Sequence, residues 1–137
     1  MVLVKDVMTA SIVSVPAHAA IDVAIDLMVE KNISSLPVVD EQEQLVGIVS
    51  EYDVLELFGQ SEFEYSPFEP CEKFMTSAPK TISQDASLEV AANIFHAASL
   101  RRLLVVDGEG LVGVLSRRDV VRRIRDARLE RQPVRVS

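Results

Sequence analysis

Gly47-Ile48-Val49-Ser50-Glu51-Tyr52-Asp53-Val54 returns later in the chain as Gly113-Val114-Leu115-Ser116-Arg117-Arg118-Asp119-Val120. What precedes each copy returns as well. Met8-Thr9 answers to Met75-Thr76, and Ile33-Ser34-Ser35-Leu36-Pro37-Val38-Val39-Asp40 answers to Leu100-Arg101-Arg102-Leu103-Leu104-Val105-Val106-Asp107, both at a spacing of 67 residues. The turn after the second of these strands is one residue shorter in the second copy, so the final offset is 66. A unit of this size often cannot bury its own apolar face and must pack against its copy. The duplication therefore predicts one body built from two copies, with its sites where the copies meet.

Each copy reads as strand, helix, strand, strand, helix. A short apolar strand is expected at about Ile12 to Val15 and again at Lys80 to Ile82. An amphipathic helix follows at about Ala20 to Lys31, with Ile21, Ala24, Ile25, Met28 and Val29 at helical spacing. Its counterpart runs from Ala86 to Ala98 with Leu88, Ala91, Ala92 and Phe95 inward, and Asp85 is placed to cap it. Leu36 to Val39 and Leu103 to Val106 read as buried strands. The short turn Asp107-Gly108-Glu109-Gly110 predicts a hairpin into Leu111 to Leu115, and Leu45 to Val49 does the same in the first copy. Each copy closes with a helix that starts after Ser50 or Ser116, the last running to about Glu130. Between the copies, Ser61 to Cys71 is a linker whose Phe63, Tyr65 and Phe68 are expected to cover apolar surface. The tail from Gln132 is expected to be loose.

With 137 residues, 48% of them hydrophobic, the chain is long enough for one shared core. Its net charge of -7 is unevenly placed. Residues 1–100 carry 16 acids and 4 lysines without an arginine, whereas residues 101–137 carry 5 acids and all 10 arginines. Such asymmetry can bind an anion locally, steer a partner or join subunits head to tail. No uninterrupted apolar run approaches a membrane span, which points to a soluble cytoplasmic protein.

Enzymatic signatures are missing. Neither G-x-S-x-G, H-E-x-x-H, a Walker A loop nor a dinucleotide glycine fingerprint occurs. Cys71 is the only cysteine, which rules out an internal disulfide and a thiolate metal cluster. His18 and His96 stand at unrelated positions, so neither metal binding nor acid-base work is indicated and no catalytic residue is assigned.

The informative local pattern is Ser50-Glu51-Tyr52-Asp53 and its copy Ser116-Arg117-Arg118-Asp119. Serine with an acid three residues on is close to a capping box. The same residues can serve a ligand. A helix N-terminus attracts an anion, a serine hydroxyl can reach a phosphate oxygen, and a carboxylate can accept two hydrogen bonds from a ribose diol.

Taken together, Asp6-Val7-Met8-Thr9, Ile33 to Asp40, Gly47 to Val54 and their second-copy equivalents make the chain resemble a tandem pair of cystathionine beta-synthase (CBS) domains of the stand-alone type. The resemblance implies an α+β CBS-domain pair, a duplicated β-α-β-β-α unit with pseudo-twofold symmetry. Its first domain would span residues 1–60, its linker 61–71, its second domain 72–131 and its tail 132–137. It also implies adenosine nucleotides (AMP, ADP or ATP) as regulatory ligands in two clefts between the repeats, with no other cofactor and no metal. One cleft would use Asp119 on ribose hydroxyls and Ser116 near phosphate, completed by Val13, Ile33, Ser34, Ser35 and Pro37; Arg101 and Arg102 are open to either cleft, the Asp119 cleft being favoured. The other would use Asp53 and Ser50 with Lys80 and Leu100. Arginine is a planar fork of donors suited to phosphate, which Ser34 and Ser35 cannot reproduce, so unequal clefts are expected. The implied partners are a second copy of the chain in a homodimer and an effector protein that receives the signal. A membrane is not among them, and nucleic acid is disfavoured because stacking aromatics and a known motif are absent. The rival reading is a structural or interaction module with degenerate clefts, whose arginine helix docks an acidic partner.

Overall fold

The computed structural model describes residues 1–61 and 66–131, apart from the side chains of residues 60, 61 and 131. Its helices are α1 (Val4–Val7), α2 (Ile21–Lys31), α3 (Glu51–Ser61), α4 (Leu88–Ala98) and α5 (Arg117–Arg131). Its strands are β1 (Val15–Pro16), β2 (Ser35–Val39), β3 (Leu45–Ser50), β4 (Thr76–Ser77), β5 (Thr81–Ser83), β6 (Arg102–Asp107) and β7 (Gly110–Ser116), with a 3-10 turn at Cys71–Lys73. The two repeats are therefore each β-α-β-β-α, the expected mixed α+β unit.

Packing divides the chain differently from the repeat. One compact unit comprises Met1–Ile12, Lys80–Gly108 and Val112–Ser137; the other comprises Val13–Pro79 with Glu109–Leu111. The segment before the first repeat thus folds with the second repeat. In the first unit, Val4 N–H donates to Ala86 O at 2.8 Å and Lys5 N–H to Gln84 O at 3.0 Å, while Thr9 and Val114 exchange two 2.9 Å bonds. Lys5 also pairs with Asp85 at 3.1 Å. The second unit repeats this arrangement with residues that follow its repeat, as β4 pairs antiparallel to β3 through Gly47↔Ser77 and Ile48↔Thr76. Ile48 and Val114 are equivalent positions, as are Thr76 and Thr9. The units are circular permutations of one another, with the Met-Thr segment leading in one and trailing in the other.

A glycine makes this segment fit. A Cβ on Gly113 would lie 2.6 Å from Met8 Sδ and 3.0 Å from Thr9 O, and one on Gly47 would lie 2.5 Å from Met75 Sδ and 2.9 Å from Thr76 O. Any larger residue would push the methionine and the strand away.

The first unit's core gathers Val4, Ile82, Ala91, Phe95, Leu103, Val105, Leu115 and Val120. The second gathers Val15, Ile21, Ala24, Met28, Leu36, Val38, Val49 and Cys71. In the second unit β1 runs parallel to β2 and β2 antiparallel to β3, giving the order β1-β2-β3-β4. In the other sheet β5 runs parallel to β6, which neighbours β7. Both first helices stop on a residue in the left-handed region, Asn32 at φ 53° and Ser99 at φ 52°, at equivalent places in the repeat.

Several expectations are corrected. The first strand begins at Val15, not Ile12, because only Val15 and Pro16 reach β2. Val29 is exposed rather than core-facing, since the buried stripe of α2 is Ile21, Ala24 and Met28. Asp85 does not cap α4. Ser87 does, accepting from Val90 N–H at 3.3 Å, while Asp85 is engaged with Lys5. In the linker, Phe68 is 83% exposed rather than buried; Phe63, Tyr65 and the tail from Gln132 lie outside the described residues. Cys71 is fully buried, and desolvation pushes its thiol up from the ordinary value.

Two substitutions probe these constraints. Gly113→Ala should destabilise by about 1–3 kcal/mol through overpacking against Met8 and Thr9, read as a lower denaturant midpoint at unchanged slope; adding Met8→Ala should recover part of the loss. Asn32→Ala should lose about 1 kcal/mol, because asparagine tolerates left-handed backbone better than alanine does. The same change at exposed Asn93, inside α4, is the control and should not destabilise.

Candidate functional site

Each β-β-α junction places its serine at the end of a strand and its aspartate in the first helical turn. In the second unit, Ser50 N–H donates to Asp53 Oδ2 at 2.8 Å and Asp53 N–H to Ser50 Oγ at 3.3 Å. In the first unit, Ser116 N–H donates to Asp119 Oδ2 at 2.9 Å and Asp119 N–H to Ser116 Oγ at 3.0 Å. Both are reciprocal capping boxes, which satisfy amides that a helix start otherwise leaves open. The next amide is satisfied too. Glu51 N–H donates to Ser34 O at 2.9 Å and Arg117 N–H to Arg101 O at 3.0 Å, so the loop before each middle strand is stitched to the helix start.

Capping does not exhaust these side chains, and the two junctions differ in what is left. A carboxylate has about four acceptor sites. Asp119 spends Oδ2 on its cap and receives only Arg122 Nη1 at 3.4 Å on Oδ1. Asp53 spends Oδ2 on its cap and also accepts the Ser50 hydroxyl there at 3.0 Å. The Ser50 hydroxyl proton is therefore committed. The Ser116 hydroxyl proton has no acceptor among the described residues, which leaves it able to donate to an outside oxygen.

The remaining candidate residues are sorted by unit. Lys80, Leu100, Arg101 and Arg102 lie with Ser116 and Asp119 in the first unit, whereas Val13, Ile33, Ser34, Ser35 and Pro37 lie with Ser50 and Asp53 in the second. Lys80, Arg101 and Arg102 are exposed, so their charges are hydrated and their side chains can swing. Leu100, Val13 and Ile33 are half-buried, as is Ser35, which pairs with Ser50 across β2 and β3. Ser34 is exposed and contributes its carbonyl rather than its hydroxyl to the junction. Pro37 is buried opposite Ile48 and one residue before the β1 pairing begins, where a strand tolerates a residue without an N–H. Leu104, its equivalent, is buried too.

Arg122, one of the arginines of the last helix, is not among the nucleotide-site candidates, yet it is the residue that meets Asp119. Its signal was available, since an acid and a base three apart on a helix face one another. Among the described residues no group of three His, Cys, Asp or Glu could hold a metal ion, and no helix is long and apolar enough to cross a membrane.

Comparison with known proteins places these junctions in a family. The profile of the CBS domain matches residues 4–59 and again 71–126. The chloroplastic CBS domain-containing protein CBSX1 of Arabidopsis thaliana is 35% identical over 74% of this chain and 54% of its own length. The chain spans 56% of the related CBSX2, so it covers about half the length of these curated relatives. The crystal structure of CBSX2 in complex with AMP superposes with a TM-score of 0.78 at 34% identity, covering 93% of this chain and 99% of that one. The CBS domain pair of protein MJ0100, solved with 5'-methylthioadenosine and S-adenosyl-L-methionine, gives a TM-score of 0.74 at 25% identity over 93% of this chain and 98% of that one. Two matched domains, the repeated β-α-β-β-α unit and its paired capping junctions lead to one conclusion: the chain belongs to the CBS-domain family as a tandem pair.

Proposed function

We propose that this CBS pair is a sensor of adenosine nucleotides that binds AMP, ADP or ATP without turning them over and passes the signal to a protein partner. The observation that carries the reading is the unspent capacity at the second junction, an Asp119 carboxylate oxygen held weakly and a Ser116 hydroxyl proton without an acceptor. Relatives crystallised with AMP and with methylthioadenosine or S-adenosyl-L-methionine support the adenosine part of the reading. Asp119 would accept from ribose hydroxyls, Ser116 would donate to a phosphate oxygen, and the exposed Arg101 and Arg102 would neutralise phosphate charge. Leu100, half-buried in the same unit, would supply apolar contact to the base. Asp53 and Ser50 would form a second, weaker site, because the Ser50 hydroxyl is already committed to Asp53.

Binding would act through differential affinity for two states of the protein, since a ligand with equal affinity for both shifts nothing. Self-association into a homodimer is part of the same proposal. The competing reading, a module with degenerate sites, draws on the closure of both capping boxes, which gives Ser and Asp a structural role without any ligand.

Calorimetry on nucleotide-free protein separates the two readings. AMP, ADP or ATP should bind at sub-millimolar concentration; heat from none of them removes the sensor reading. Asp119→Ala should weaken binding by about 1.5–3 kcal/mol, or roughly 10- to 150-fold, through loss of hydrogen bonds to a charged group. The same change should lower stability by about 1 kcal/mol as the cap is lost. Ser87→Ala, which removes the cap of α4 with comparable stability loss, should leave nucleotide affinity intact. Equal effects of both substitutions on affinity would show that Asp119 acts only as a cap.

A further inference from the structure

Two of the chain's four methionines, Met8 and Met75, stand at equivalent places in the repeat and do the same structural job. Met8 is packed on the core of the first unit and Met75 on that of the second. Each sulfur lies over a glycine of the neighbouring strand, so close that a Cβ there would come within 2.6 Å of Met8 Sδ or 2.5 Å of Met75 Sδ. Neither side chain is fully enclosed. Met8 and Met75 are half-buried, whereas Met28 keeps only 6% of its surface exposed and Met1 is fully exposed. A thioether so placed is open to a small solute, yet it cannot change size or polarity without disturbing the core edge.

What each methionine holds down is the pairing beside it. Thr9 and Val114 exchange two 2.9 Å bonds next to the Met8 seat, and Thr76 and Ser77 pair with Ile48 and Gly47 next to the Met75 seat. Both seats stand three residues ahead of a capping serine, Gly113 before Ser116 and Gly47 before Ser50. A change at either sulfur therefore acts on the strand whose end carries the capping box.

We infer that Met8 and Met75 are sites of reversible sulfoxidation, at which hydrogen peroxide loosens the methionine-threonine segment from its sheet. A sulfur lone pair attacks one peroxide oxygen, the S–O bond forms and the O–O bond breaks. The proton on the transferred oxygen passes to the departing one, which leaves as water; sulfur gives up two electrons and peroxide takes them. The product is polar and chiral where the thioether was apolar, and methionine sulfoxide reductases, one for each epimer, return it to methionine. Against a glycine with no spare room, the added oxygen either crowds the strand or draws water to the core edge, and both weaken the pairing. Cys71 is a poor competing target, because it is fully buried and desolvation holds it as the thiol.

Dilute hydrogen peroxide on the folded chain, followed by peptide mass mapping, reads each sulfur separately. Met1 should react first, Met8 and Met75 next, and Met28 last, roughly tenfold or more behind them because it needs a local opening to react. Met8 and Met75 reacting no faster than Met28 would overturn the assignment. Hydrogen exchange on the oxidised sample should show the Val114 amide, which donates to Thr9 O, exchanging roughly tenfold faster or more, and treatment with both reductases should restore its protection. Unchanged protection in chains that carry Met8 sulfoxide would overturn the loosening. The variant Met8→Leu/Met75→Leu keeps apolar side chains of similar volume and still oxidises at Met1. Peroxide should lower the melting temperature of the wild type and leave that of the variant unchanged; an equal fall in both would trace the effect to another residue and overturn the proposal. These readouts need no nucleotide, so the sites stand or fall apart from the sensor reading.

Discussion

Everything in each unit hangs on a glycine that lets a methionine-threonine segment lie against the third strand of a repeat. Gly113 accepts Met8 and Thr9, and Gly47 accepts Met75 and Thr76. The contact does two jobs at once. It supplies backbone pairing through the Thr9–Val114 bridge or the β3–β4 ladder, and it brings methionine, the most adaptable apolar side chain, onto the core. Without it, the outer edge of β3 or β7 would present unpaired backbone groups to water or to another chain.

The same contact explains why the repeated motifs extend so far beyond the strands and helices. Met8-Thr9 looks detached in sequence, lying outside every predicted strand and helix. In space it completes the unit that contains Gly113, more than a hundred residues later. Residues Met1–Ile12 are therefore structural members of the second repeat's unit, anchored by the buried Val4 and by the Lys5–Asp85 pair. The order of segments is rotated between the units, but the set of contacts is the same.

Much of this was legible in the sequence because it was written twice. The order of elements, the buried strands Leu36 to Val39 and Leu103 to Val106, and the helix starts at Ser50 and Ser116 all followed from matched hydrophobic pattern and matched caps. The misreadings came from places where sequence gives no long-range partner. Asp85 looks like a cap by position, yet Lys5 claims its carboxylate from the far end of the chain and Ser87, two residues on, is left to cap α4. Val29 fits the helical period, but the stripe that α2 buries is centred on Ile21, Ala24 and Met28, and Val29 lies beyond its edge. At the candidate site, the sequence pointed to Ser116 and Asp119 without showing how their valences divide between cap and solvent. That division depends on one hydroxyl rotor, on Arg122 and on where Arg101 offers its carbonyl.

Duplication followed by divergence separates what the fold requires from what it merely permits. The glycine, the methionine-threonine segment, the capping serine and aspartate and the left-handed helix stop are paired across the copies, and each has a contact that accounts for it. Residues 51 and 52 against 117 and 118 carry exposed side chains and have no such constraint from the capping pattern. Had they been held only by solvation, their charges could have drifted in any mixture. Instead one helix has kept acids alone and the other is dominated by arginine, around apolar residues that remain matched and exposed. The symmetry of the caps built two equivalent helix starts; the asymmetry of the helices beyond them gives each a surface of different charge.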